Sequence, residues 1–105
     1  MDVEIRFFHE CPNWTLAVKR VHEALKRARL AGVDIRLNEV DAPERAESLR
    51  FVGSPTILIN GRDPFATAAE AGYGLTCRVY DTPSGRQGSP STEQIVFALR
   101  RAAFA

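Results

Sequence analysis

Val3, Ile5 and Phe7 alternate with Glu4 and Arg6, and Phe8 extends the apolar end. This period of two predicts a strand with one face buried. From Asn13 to about Leu30 the spacing lengthens to three and four residues. Trp14, Ala17, Val18, Val21, Ala24, Leu25 and Ala28 form one apolar stripe, with Lys19, Arg20, Glu23, Lys26 and Arg27 turned away. That is an amphipathic helix, and Gly32 is expected to supply the left-handed residue that ends it.

Ile35, Leu37 and Val40 predict a second strand. Asp41 and Glu44 can cap a short helix reaching about Arg50, with Gly53 closing it. Thr56-Ile57-Leu58-Ile59 is an unbroken apolar run suited to a central strand buried on both faces. Leu75, Cys77 and Val79 alternate with Thr76, Arg78 and Tyr80 and predict a fourth strand, its apolar set facing inward. Ser91 and Gln94 have capping-box spacing ahead of a last helix with Ile95, Val96, Leu99 and Ala102 on its apolar face.

The expected order is βαβαββα, a mixed four-stranded sheet flanked by three helices. The first two strands should be parallel, because their connection is long, and the last two antiparallel. The stretch from about 61 to 74 is an extended loop. With Pro64, Phe65, Gly72, Tyr73 and Gly74 it is read either as a lid over a site or as a plain surface loop.

At 105 residues, 45% hydrophobic and 26% charged, the chain is expected to be a single globular domain. A net charge of +1 argues against a dedicated nucleic-acid or membrane-surface binder. The basic helix face of Lys19, Arg20, Lys26, Arg27 and Arg29 has no interleaved aromatics and reads as solvated. No apolar run nears the roughly 18 residues of a membrane span, and no signal-like segment is seen, so a cytoplasmic location is the expectation. Two cysteines are too few for a disulfide scaffold; in such a compartment a thiol is reactive or simply buried.

Cys11-Pro12-Asn13-Trp14 falls at the first strand-to-helix turn, and Gly53-Ser54-Pro55-Thr56 precedes the third strand. In these motifs and in its element order, over roughly residues 3–60 and 75–104, the chain resembles the thioredoxin-like superfamily. The resemblance implies that Cys11 is the active thiol and that Pro55 is a cis-proline facing it. It also implies that Ser54 offers its backbone N–H and C=O to an extended substrate. Physical chemistry agrees for Cys11, since a helix N-terminus favours the thiolate. Pro12 suits a first helical turn. Trp14 stands where the family has its second cysteine, so Cys11 is expected to act as a monothiol or to find a partner elsewhere.

Cys77 is the other candidate. Its place on the inward face of the fourth strand reads as a buried core cysteine, and the alternative is an approach to Cys11 close enough to bridge. Cys11 and Cys77 are thus the catalytic candidates, with Pro12, Trp14, Ser54, Pro55 and Thr56 as the substrate-binding set. His9 reads as an exposed turn residue that could otherwise assist deprotonation, and His22 has no role. Gly85-Arg86-Gln87-Gly88-Ser89 lacks the Gly-Gly-x-Asp with which glutaredoxins, relatives in that superfamily, bind the glutathione carboxylate, and reads as a loop without a ligand.

The expected function is thiol–disulfide exchange, or a related thiol reaction, through Cys11 with a thiol or disulfide substrate. No cofactor, resident metal, nucleic acid or membrane is expected. Two alternatives stand beside it: capture of a soft metal or organomercury by the thiols, and a non-catalytic protein-interaction domain.

Overall fold

A computed structural model describes residues 1–30, 32–67 and 72–104. It is an α/β protein with the element order β1 (Val3–Phe7), α1 (Trp14–Arg27), β2 (Ile35–Glu39), α2 (Pro43–Ser48), β3 (Thr56–Ile59), β4 (Tyr80–Thr82), β5 (Gly85–Gln87) and α3 (Thr92–Ala103). The main sheet has three strands in the order β2-β1-β3. β1 runs parallel to β2, with Val3 opposite Ile35, and antiparallel to β3, with Ile5 opposite Ile57. The centre of the sheet is therefore β1, where the apolar run of β3 had predicted itself.

The alternation in β1 sorts the two faces. Val3 and Ile5, with Ile57 and Ile59 of β3, pack against Ala17, Val21, Ala24 and Leu25 of α1 and Ile95, Ala98 and Leu99 of α3. A smaller core of Val40, Ala46 and Phe51 gathers under α2. β1 also carries Glu4, 93% withdrawn from water by burial to 7% exposure, which accepts hydrogen bonds from Arg6 (2.7 Å), Arg36 (3.1 Å) and Asn38 (3.2 Å). Burial pushes the Glu4 carboxyl up, but the hydrogen bonds from Arg6 and Asn38 and the charges of Arg6 and Arg36 outweigh it. The net result is a pKa below the ordinary 4.5.

α1 and α2 end alike. Arg29 donates its amide to Lys26 and Leu30 donates to Leu25; Arg50 donates to Glu47 and Phe51 to Ala46. These are paired Schellman bonds, and the left-handed position that glycine usually fills is held by Arg29 (φ 59°) and Arg50 (φ 54°). Gly32 lies beyond the helix it was expected to close, and Gly53 beyond the second. The expected Asp41 cap of α2 is replaced by Ala42 at the N-cap with Pro43 following. The capping box of α3 forms as read, with the Gln94 amide bonded to the Ser91 hydroxyl and Gln94 Oε1 to the Ser91 amide.

The expected fourth strand over 75–79 is not part of the main sheet. Only an isolated parallel bridge links Cys77 to Ser54, and the strands that follow, β4 and β5, form a separate antiparallel hairpin turning at Pro83 and Ser84. The period of two survives in 77–80 with its phase inverted. Cys77 and Val79 are exposed, whereas Arg78 and Tyr80 are buried. The inversion follows from the partners that polar groups find inside. Arg78 meets Asp63, and the Tyr80 hydroxyl donates to the Pro55 carbonyl. In the 61–74 loop, Phe65 packs on the main core and edge-on to Tyr80 at 5.8 Å, and with Thr67 it lines a cleft beside Cys77. The lid reading falls partly on 68–71, outside the described residues.

No helix of the described residues is long and apolar enough to cross a membrane.

Candidate functional site

The chain leaves β1 through a tight turn in which the Cys11 amide donates to the Phe8 carbonyl at 3.0 Å. That turn drops Cys11 into the protein two residues ahead of Asn13, the N-cap of α1, leaving it 1% exposed. Its sulfur is bonded to Cys77, with the two Cα atoms 5.7 Å apart across 66 positions of sequence. Cys77 is thus neither buried nor a plain core residue. The bridging alternative holds, and the partner that Trp14 cannot supply comes from beyond β3.

Two backbone hydrogen bonds bring the bridge together. The Ser54 amide donates to the Thr76 carbonyl at 2.7 Å, and the Arg78 amide donates to the Ser54 carbonyl at 2.9 Å. Residues flanking Cys77 therefore pair with Ser54 as a neighbouring strand would. The Ser54–Pro55 bond is cis, as the resemblance implies. The two backbone groups expected to receive an extended substrate are occupied by the chain's own 76–78 segment.

That segment lies so close to Gly53 that a Cβ there would come within 2.9 Å of Arg78 Cβ and 3.2 Å of its Cα. Gly53 also has a φ of +142°, which favours glycine. Arg78, 5% exposed, anchors the segment from the inside. Its guanidinium pairs with Asp63 at 2.6 Å, donates to the Phe65 carbonyl at 2.8 Å and lies 4.6 Å from the centre of the Tyr80 ring.

Around the Cys11 sulfur lie the Ser54 carbonyl oxygen at 3.6 Å and Asn13 Nδ2 at 3.9 Å. Asn13 makes no side-chain cap for α1; its amide is turned to the sulfur instead. Gly88 leaves it room, since a Cβ at that position would lie 2.3 Å from Nδ2 and 2.8 Å from the Asn13 Cβ. When the bridge opens, Asn13 can donate to a Cys11 thiolate and the Ser54 carbonyl can accept from a Cys11 thiol.

The remaining expected residues divide. Trp14 stacks on Phe7 at 4.3 Å and is half-buried, so its contact is structural. Thr56 turns its hydroxyl to the Gly53 carbonyl at 2.7 Å, and Pro55 is fully buried. Pro12 is exposed beside Cys11, with its carbonyl accepting from Thr15. His9 is exposed, 6.3 Å from Trp14 between ring centres. Arg20, read as part of a solvated face, donates to the carbonyls of Ser89 and Pro90 and ties α1 to the approach of α3. Sequence reasoning missed Asn13, Asp63 and Arg78. Asn13 was open to notice inside the cysteine motif, whereas nothing local marks Asp63 as the partner of Arg78.

No group of three or more His, Cys, Asp or Glu side chains able to hold a metal occurs among the described residues. The site is a pair of cysteines, one buried and one exposed, in an α/β scaffold. No known protein family, curated protein or solved structure matches the chain.

Proposed function

We propose that this is a thioredoxin-like protein that carries out thiol–disulfide exchange with Cys11 and Cys77 as its redox pair. The observation that carries the reading is the bridge itself, formed beside the Ser54 edge at the end of β1. Exchange needs two sulfurs that approach closely enough to bond, one reachable by a partner and a second to resolve the intermediate. Cys77 meets that need where Trp14 stands in place of a second cysteine in the Cys11 motif.

The test is turnover of a small disulfide in the presence of excess dithiol. Wild-type protein is expected to accelerate the reaction, and both Cys11→Ser and Cys77→Ser are expected to lower the rate at least about tenfold, since each removes half of the pair. Equal rates in all three proteins would exclude the reading.

A further inference from the structure

Resting on the exchange reading, we propose that Cys77 is the sulfur that exchanges with partners and that Cys11 is the buried leaving group. These roles are the reverse of those that the Cys11 motif implies. The partner is a low-molecular-weight thiol that enters the cleft beside Cys77.

Attack on a disulfide proceeds along the line of the S–S bond, from the far side of the sulfur attacked. Cys11 offers no such line to solvent. It is 1% exposed and is packed against the Ser54 carbonyl and the Asn13 amide. Cys77 is exposed and lines a cleft of about 400 Å³ with Val52, Thr67, Val79 and Arg86. That volume is at the small end of ligand sites. An extended peptide could not dock through Ser54 while the bridge is closed, because Thr76 and Arg78 already hold its amide and carbonyl. The open approach is the cleft.

The step balances as follows. A thiolate RS⁻ attacks Cys77 Sγ, forming a Cys77–S–R mixed disulfide and breaking the bond to Cys11. The electron pair stays on Cys11 Sγ, where the Asn13 amide can donate to it, and a proton from solvent completes the thiol. A second RS⁻ attacks the sulfur of R, forming RS–SR and releasing Cys77. Two thiols are oxidised and one protein disulfide is reduced. In the opposite direction, Cys77 attacks RS–SR and Cys11 resolves the mixed disulfide.

The test uses oxidised wild-type protein, mixed with excess N-acetylcysteine and quenched in acid at successive times. Free thiols are then alkylated in denaturant and both cysteine peptides are weighed. The expected result is the N-acetylcysteine adduct on Cys77 at least about tenfold over Cys11, with the newly free thiol on Cys11. An adduct on Cys11, equal labelling of both, or reduction without any adduct on Cys77 overturns the assignment of roles while leaving exchange itself intact. A bridge that the thiol opens at no concentration overturns both.

Discussion

At the scale of single residues, the structure separates groups that act through their side chains from those that act through their backbone. Ser54 belongs to the second kind. It is completely buried, its N–H and C=O are both bonded, and its hydroxyl has no hydrogen-bond partner among the described residues. A buried hydroxyl without a partner is unfavourable. Ser54→Ala is therefore expected to raise stability by about 1 kcal/mol, read from the urea unfolding midpoint. Glu4 gives a prediction in pH. Its carboxyl titrates below 4.5 in the folded protein, so the stability it adds is complete above that value and disappears as pH falls through the lowered one. The wild-type unfolding midpoint should fall between pH 6 and pH 3, and Glu4→Gln should flatten that decline. An unchanged slope in the variant would remove Glu4 from the account.

At this scale the positions of Cys11 and Pro55 were legible, because their signals are local: a cysteine ahead of an amphipathic helix and a proline ahead of an apolar strand; that Pro55 is cis came from the resemblance. Cys77 was legible as a residue but not in its setting. Its alternating neighbours have the right period, and period alone does not say which side faces in. Arg78 reverses the phase because Asp63, 15 positions away, offers its guanidinium a buried ion pair.

At the scale of elements, the departures from sequence expectation concentrate at the ends. The strands β1, β2 and β3 and all three helices fall where they were expected, and so does the capping box of α3, while the ends of α1 and α2 do not. Glycine rules pointed to Gly32 and Gly53, yet Arg29 and Arg50 take the left-handed positions after α1 and α2. A left-handed L residue costs about 1–2 kcal/mol that glycine avoids, and glycine's greater freedom in the unfolded chain offsets part of this. Arg29→Gly and Arg50→Gly are each expected to stabilise by about 0.5–1 kcal/mol in thermal or urea unfolding. A loss of stability would mean that the arginine side chains do more than occupy a turn. Gly53 is the opposite case. Gly53→Ala puts a methyl against the Arg78 backbone at a φ that disfavours side chains. It should cost about 2–4 kcal/mol and raise the reactivity of reduced Cys11 toward maleimide as the 76–78 segment lifts.

At the scale of the whole molecule, the bridge joins residues 66 positions apart. Closing a loop of that length restricts the unfolded chain by about 4 kcal/mol in the entropic account. Reductant should therefore lower the urea midpoint markedly in wild-type protein and leave Cys77→Ser unmoved. The expected four-stranded sheet does not form, because a strand signal at 75–79 carries no information about its neighbours. The segment is held by the backbone of Ser54, by the bridge to Cys11 and by side chains on its inner face, and among the described residues the strands of the β4–β5 hairpin pair only with each other.

In its oxidised form the chain is, covalently, a ring with two tails. Residues 11–77 make the ring and include α1, β2, α2 and β3; β1 lies on one tail, and β4, β5 and α3 on the other. Yet β1 is the middle strand of the sheet, flanked on both sides by strands of the ring. A single peptide cut inside the ring leaves one molecule of nearly unchanged mass until the bridge is reduced, whereas a cut in either tail severs a piece at once. The redox state of this protein is thus written into its connectivity, and one nicked bond is enough to make it visible on a denaturing gel.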